Sequence, residues 1–493
     1  MREHGRVSDE QRGVVFPTDE EGRRSTAAVG RAVVADALRP VDPVGARSAE
    51  QETAWRSAYV THFRRALEAG LDSRADALAV ADAGLTSLHA RMRVVRADGE
   101  ESALGEWAQQ GPPLATTTIV GAGTAESELS LPYHGDRLRG DDLRRRVDTW
   151  VADGVVEPTV AEAVELVVSN PDWLRLEGRT VAVLGAGAEM GPLPSLLRWG
   201  ARVAAVDLAV PAIWKRVLGL AHDGAGTVLV PHPEDGPESS LAGRAGVDLI
   251  ADIPSVADWL AGHDGLVVGN YVYADGATNV RVSMAVDELS SRLLAGRGDV
   301  ALAFLATPTD VFAVPGEAVA HSTRSYDARS ARSKMLGRPL RALSGGRLLH
   351  RSYVRGADPG VNDSMVAQQG PNYALAKRLQ RWRAAVARDN GATVSMNVAP
   401  PTRTRSVLKN RALAAAYAGA HRFGVEVFEP ATSNVLMAAL LVHDLHTGGG
   451  PRHEHPWQDE AYAAVHGGLW RTPYAPRSAL GLAALLGYGS ARG

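Results

Sequence analysis

The chain of 493 residues contains no cysteine. Disulfides, thiol nucleophiles and cysteine-ligated zinc are thereby excluded, and the absence fits a reducing compartment. Lysine is nearly as scarce. Lys215, Lys334, Lys377 and Lys409 are all there is, in a chain otherwise rich in arginine. The formal net charge is −3, so no global basic field argues for nucleic acid or an anionic membrane as partner. No stretch reaches the ~18 uninterrupted apolar residues of a membrane span. The opening MREHGRVSDEQRGVVF lacks the apolar centre of a signal peptide, and a cytoplasmic location is the expectation. What remains is ordinary for a globular protein: 45% hydrophobic and 22% charged residues, in a chain long enough for two or three domains with a large core. The bias to Ala, Gly, Arg and Val is that of a GC-rich bacterial genome.

Residues 1–28 are polar, charged and without periodicity, which predicts disorder. A mostly helical region is expected over 29–178. Ala54, Tyr59, Phe63, Ala66 and Leu67 mark one apolar helix face that Gly70 can end. A second helix is expected from Asp72 to about His89, and two more over Asp141–Ala152 and Thr159–Ser169. The segment 111–140 is rich in Gly, Pro and Thr and predicts loop with short strands. From Thr180 the pattern changes. Short apolar runs at Thr180–Leu184, Gly200–Asp207, Val228–Val230, Val247–Ala251, Gly265–Gly269, Val300–Leu305 and Thr393–Val398 alternate with helical stretches. Alternation of this kind predicts an α/β fold on a doubly wound, mainly parallel, Rossmann-type sheet spanning 179–445. Residues 446–493 are expected to form a tail packed on the core or on a partner subunit.

Two motifs carry chemistry. In Val181-Ala-Val-Leu-Gly185-Ala-Gly187-Ala-Glu-Met-Gly191 a strand runs through a glycine turn into a helix. Glycines let a backbone approach a pyrophosphate closely, and the helix start offers free N–H groups. Asp207 closes the next strand, where a carboxylate can accept ribose hydroxyls and repel a 2′-phosphate. That favours NAD, although Arg202 and Lys215 nearby leave NADP open. Glu189 inside the turn would have to point away from phosphates. The same arrangement describes adenosyl-methionine-dependent methyltransferases, where the acid holds the ribose of the methyl donor.

The second motif is Tyr373-Ala-Leu-Ala-Lys377. Residues four apart share a helix face. An ammonium beside a phenol would lower the Tyr pKa and let it exchange a proton near neutral pH.

In order and spacing, the stretch from Thr180 to about Leu445 resembles the short-chain dehydrogenase/reductase family in divergent form. Asp252-Ile-Pro-Ser-Val256 resembles the family's turn beside the adenine. Asp264-Gly-Leu-Val-Val-Gly-Asn270 resembles its Asn-containing strand end. Tyr373 and Lys377 match its active-site pair, and Ala392–Pro400 its next strand and Pro turn, after which Thr402 or Thr404 would meet the nicotinamide side. Glu429–Leu441 resembles its late helix. The resemblance implies hydride transfer between NAD(P) and a carbonyl or hydroxyl carbon, with Tyr373 as acid/base and Lys377 on the nicotinamide ribose. It further implies a small-molecule substrate and a homo-oligomer. The family places a Ser or Thr about a dozen residues before the Tyr. Here Thr307 and Thr309 end the preceding strand and Ser364 lies near Tyr373, and the sequence does not choose among them. The family's helical Asn has no clear match; Asn279 is expected in a loop. An inactive dinucleotide-binding sensor remains a further alternative.

Residues 321–356 interrupt the α/β alternation with nine basic side chains (Arg324, Arg329, Arg332, Lys334, Arg338, Arg341, Arg347, Arg351, Arg355) against Asp327 alone. Such a segment could dock an anionic substrate or act as a lid. His443, His446, His453, His455 and His466 lie late in the chain, and the expectation is exposed histidine, not a metal site.

Overall fold

The computed structural model describes residues 12–233, 240–330, 335 and 339–488. Seven strands form the central sheet: β1 (Leu114–Val120), β2 (Thr180–Leu184), β3 (Arg202–Val206), β4 (Thr227–Pro233), β5 (Leu266–Asn270), β6 (Ala301–Ala306) and β7 (Val394–Val398). Their spatial order is β7-β6-β5-β2-β3-β4-β1. All neighbours are parallel except β1, which runs antiparallel along β4 from Leu114↔Pro233 to Val120↔Thr227. The fold is thus mixed α/β on a mainly parallel sheet.

Both sheet faces are covered, and strand alternation decides which residue faces which layer. Ala182, Leu184, Val268, Leu302 and Phe304 pack into one core with the helices α1 (Thr26–Leu38), α2 (Trp55–Ala69), α3 (Arg74–Arg91), α5 (Gly276–Gly296) and α6 (Pro371–Asp389). Val181, Val183, Val267, Ala301 and Ala303 pack into another with α4 (Leu193–Trp199) and α7 (Pro430–His446). The strands are apolar on both faces for this reason.

The region before residue 179 is built into this body. The loop with short strands expected over 111–140 includes the seven-residue β1, whose alternating exposure suits an edge position. Helix α3 packs on α6, with Gly84 letting the Trp382 ring approach: a Cβ there would lie 2.4 Å from the ring. The disorder expected for residues 1–28 does not extend to the described part. Val14, Val15 and Phe16 are buried, and Arg281 of α5 donates to the carbonyls of Arg12 and Val14 at 2.8 and 2.6 Å. Residues 1–11 lie outside the described residues.

Val247–Ala251, expected as a strand, is a turn. The Asp248 carboxylate accepts the Ile250 amide at 2.9 Å and its carbonyl the Ala251 amide at 3.0 Å, a local bond set that competes with a ladder. Asn279, expected in a loop, lies in the first turn of α5, its amide oxygen accepting from Ala274 N at 3.2 Å. The late segment packs inward: Trp470 is fully buried against Phe312. Among the described residues no helix is long and apolar enough to cross a membrane.

Candidate active site

The register aligns the C-terminal ends of the parallel strands. Leu184 pairs with both Asn270 and Val206, Asn270 with Phe304, and Ala306 with Val398. The residues that follow therefore emerge along one edge: Gly185, Asp207, Tyr271, Thr307 and Pro400.

At the glycine turn, Gly185 adopts φ 84°, a region glycine tolerates without strain. A Cβ on Gly185 would lie 3.0 Å from the Tyr271 carbonyl oxygen. The Asp207 carboxylate accepts the Gly187 amide at 2.7 Å and the Leu208 amide at 2.8 Å, while Arg216 donates to the Gly187 carbonyl. Burial raises the Asp207 pKa, partly offset by these bonds and by Arg216. Glu189 points away from the turn and accepts the Arg405 amide at 3.0 Å, which brings the Pro400–Arg405 segment beside it. Beyond the turn the helix is not the donor array expected. Gly191 directly precedes the N-cap Pro192, α4 has only seven residues, and Pro192 and Pro194 at its start carry no N–H.

The other cofactor candidates divide. Asn270 is buried at the end of β5, its side-chain oxygen toward Val272 N. Thr404 is half-buried and bonded to Ser406 at 3.0 Å. Thr402 is buried, its hydroxyl held by the Pro400 carbonyl at 2.9 Å and by Ser433 at 2.7 Å. Asp252 is paired with Arg12 at 3.1 Å. Those two side chains are committed to the protein's own packing.

Helix α6 starts at Pro371 after Gly370 (φ 83°) and carries Tyr373 and Lys377 into a small cleft, about 220 Å3 including its mouth. Tyr59, Thr307, Thr309, Asp310, Met365 and Gln369 help to line it. Tyr373 is half-buried, as is Lys377. The two do not form the pair expected from their spacing. Lys377 Nζ donates to the Leu305 carbonyl at 3.2 Å and to Gln380 Oε1 at 3.3 Å. Burial lowers its pKa to about 8, against the pull of Asp310. Burial raises the Tyr373 phenol well above its ordinary value, and a hydrogen bond with Thr307 offsets part of this. An ammonium-lowered phenol is therefore not what this arrangement holds.

Of the three Ser/Thr candidates, the fold brings Thr307 and Thr309 to Tyr373. Their hydroxyls are 2.9 Å apart. Ser364 is buried, with its hydroxyl on Asn362 Oδ1 at 2.5 Å, and does not line the cleft.

Sequence reasoning passed over the charged floor of this site. Asp310, next to Thr309, is buried between Arg378 (3.1 Å) and Arg381 (2.8 Å), and Arg381 also grips Glu460 at 2.6 Å. Burial presses the Asp310 carboxyl up, but the two guanidiniums hold it below its ordinary value. Arg378 is lowered to about 10 by burial and by Arg381. The available signal was the position of both arginines on the inward face of α6, beside Ala374, Leu375 and Leu379.

The basic residues of 321–356 turn largely to each other's neighbours. Arg329 and Arg351 lie over the Tyr326 ring, and Arg351 and Arg355 pair with Asp327; Arg332, Lys334 and Arg338 lie outside the described residues. The five late histidines are dispersed: His443 on Asp444, His446 stacked on Trp173, His453 on Asp459, His455 on the Gly70 carbonyl, and His466 on Glu157. Among the described residues no cluster of three or more His, Asp or Glu could hold a metal ion.

No family model matches the chain, and no curated protein matches it. Among solved structures, a thiolation-reductase di-domain from an archaeal non-ribosomal peptide synthetase aligns with 49% of this chain, at 12% identity and a TM-score of 0.27. The chain spans 47% of that structure's length.

Proposed function

We propose that the protein is an NAD(P)-dependent oxidoreductase of short-chain dehydrogenase type, acting on a carbonyl or hydroxyl carbon. The observation that carries the reading is the loop after β5. Its Tyr271 carbonyl abuts Gly185 of the glycine turn, and its Tyr273 ring lies 6.3 Å from the Tyr373 ring. One short segment thus joins the turn to the Tyr373 cleft. Strand order agrees. Numbered in chain order, the six parallel strands run 3-2-1-4-5-6, the order of Rossmann-type sheets that take dinucleotides in the crevice at the C-terminal strand ends. An adenosyl-methionine-dependent methyltransferase would share the turn and Asp207 but would give Tyr373 no task.

The donor set fits a dinucleotide in part. Gly185 and Gly187 leave room for close backbone approach, and Asp207 lies beside them as the ribose acceptor, which favours NAD over NADP. Thr404 is near the turn through the Glu189–Arg405 bond. Asp252 and Thr402 are assigned no contact. When bound, the nicotinamide supplies or accepts hydride. The protein's own residues do the rest. Tyr373 gives its proton to the substrate oxygen in reduction and takes it back in oxidation. Thr307, which lines the cleft with Tyr373, polarises the substrate oxygen. Lys377, tied to Leu305 and Gln380 beside the cleft, would hold the nicotinamide ribose. The space inside the cleft is about 10 Å3, far below the ~300 Å3 at which ligand pockets begin, so on this reading the Met365–Gly370 wall yields on binding. The substrate is a small molecule; a carboxylate or phosphate on it would suit the basic residues of 321–356.

The experiment is a titration of purified protein with NADH, NADPH and adenosyl-methionine, followed by a carbonyl and alcohol panel on wild type and Tyr373→Phe. Binding of NADH with turnover at least ~100-fold lower in the variant is the expected result for loss of a general acid. Binding of the methyl donor alone would overturn the reading, and binding of NADH without turnover would leave a sensor.

A further inference from the structure

A cleft of about 520 Å3 opens at the end of the sheet away from Tyr373. That volume lies within the ~300–1,000 Å3 of ligand pockets. Thr180, the first residue of β2, and Arg202, the first of β3, line it, together with the turn 262–264 before β5 and the loop 175–179 before β2. The register sets Leu266 and Arg202 on either side of Thr180, so the cleft lies under three neighbouring strands. Arg202 and Asp207 are close in sequence, but β3 separates them by roughly 17 Å, the length of five strand residues. Arg202 therefore has no part in choosing between cofactors at the glycine turn.

The charges on the wall of this cleft are unspent. Arg175, Glu177, Arg202 and Asp264 are exposed. None of these four side chains has an ion-pair or hydrogen-bond partner among the described residues. Two other arginines are already committed to carbonyls. Arg179 donates to Leu445 O at 2.9 Å, and Arg297 to the carbonyls of Ala261 and His263 at 2.8 and 2.7 Å. They meet the negative ends of α7 and of the helix Ile253–Ala261, which leaves Arg175 and Arg202 for a ligand. His263 stands edge-on to Trp259, with ring centres 5.2 Å apart, and its buried Nε2 finds no partner among the described residues. Burial lowers the His263 pKa, and Arg202 and Arg297 lower it further against Asp264. The local potential is thus positive. We infer that this cleft binds a phosphate monoester of a small hydroxylated molecule, with its phosphate on Arg175 and Arg202 and its hydroxyls on Glu177 and Asp264. A guanidinium meets a phosphate with two parallel N–H donors. The carboxylates accept from hydroxyls and repel a bare anion. The assignment is independent of the dehydrogenase reading.

Calorimetric titration of the full chain with ribose 5-phosphate tests the assignment, with adenosine monophosphate, ribose and inorganic phosphate alongside. Ribose 5-phosphate should bind with a Kd below ~1 mM. Ribose and inorganic phosphate, each making half of the contacts, should bind at least ~10-fold more weakly. Tighter binding of adenosine monophosphate identifies the ligand as a nucleotide, and weaker binding as a sugar phosphate. Arg175→Gln with Arg202→Gln should lower ester affinity at least ~10-fold. Both side chains are exposed and unpaired, so thermal unfolding should not move. Glu177→Ala with Asp264→Ala should weaken ribose 5-phosphate and tighten inorganic phosphate, opposite signs that a damaged fold would not produce. Failure of both esters to bind at millimolar concentration would overturn the inference, as would inorganic phosphate binding as tightly as the esters. Titration with NADH separates this site from the glycine turn. The double arginine variant should keep the NADH affinity of the wild type while losing the ester. Parallel loss of both would give the arginines to the cofactor and overturn the assignment. A wild type that binds the ester and not NADH keeps this site and removes the dehydrogenase.

Discussion

Asp207 accepts the backbone amide of Gly187 at 2.7 Å, so the acid that ends β3 also closes the turn that follows β2. Asp207→Asn keeps an acceptor for that amide, removes the charge and leaves the Leu208 amide, held by the second carboxylate oxygen, without its acceptor. The turn should persist at a cost of about 1 kcal/mol. Affinity for NADH should fall on the order of tenfold, and NADPH should lose less, because the repulsion of a 2′-phosphate goes with the charge. Fluorescence titration of both cofactors reads the ratio; equal affinities before and after substitution would remove Asp207 from the cofactor site.

His89 ties α3 to α5, which in turn holds α6. Its Nε2 lies 2.7 Å from Asp287 and its Nδ1 3.4 Å from Glu288, while Arg383 of α6 grips Asp287 at 2.7 Å. Burial presses the imidazole pKa down, but the two carboxylates raise it to about 9. The folded state thus holds a proton that the unfolded chain, near 6.5, gives up first. The contribution is complete below about pH 6.5 and is lost as pH rises through about 9. His89→Gln should cost roughly 1–3 kcal/mol at pH 6 and much less at pH 9.5. Urea unfolding of both proteins at the two pH values measures it.

The Lys377 ammonium is destabilised by burial, with a pKa lowered to about 8. Here the folded state binds its proton more weakly than the unfolded chain. The penalty is full below about pH 8 and disappears as pH rises toward 10.5, the ordinary lysine value. Lys377→Met should therefore stabilise the protein at pH 7, by roughly 1–2 kcal/mol after allowance for partial exposure, with the gain fading at high pH. A destabilised variant at pH 7 would show that the two hydrogen bonds of Lys377 outweigh its burial.

Gly84 stands where α3 meets Trp382 of α6. In a free helix Gly→Ala stabilises by about 1 kcal/mol. Here the new Cβ would lie 2.4 to 2.7 Å from ring atoms, and overpacking of this kind costs about 1–3 kcal/mol. Gly84→Ala should lower the urea midpoint at unchanged slope. Because α6 carries Tyr373, turnover should fall as well, though no ligand is near Gly84.

The strands that were legible are those whose runs are apolar on both faces, such as Thr180–Leu184 and Val300–Leu305. A run of that kind has few places to go except a buried parallel sheet. Val247–Ala251 read the same way because it is equally apolar, but Asp248 bonds its own backbone and folds the run into a turn. Over 111–140 short strands were expected, but the full length of β1 shows only once Thr227–Pro233 is there to pair with Thr116, Thr117 and Thr118. At the site, Tyr373 and Lys377 were visible through spacing, whereas the direction of Lys377 depends on the Leu305 carbonyl and could not be read from a helix period. Gln369, two positions before Pro371, has no motif at all. Its bond to Thr309 exists only because the β6 end is folded against it.

The antiparallel edge made by β1 bears on how the chain is made. Leu114–Val120 leaves the ribosome long before Thr227–Pro233, its partner, exists, and β7, at the far edge, is later still. During synthesis the β1 segment is an unpaired strand with exposed amides and carbonyls. The threonines along it are then useful in a second way, since a polar edge is a poor template for the wrong neighbour. The sheet closes at both ends only after Val394–Val398 has been made.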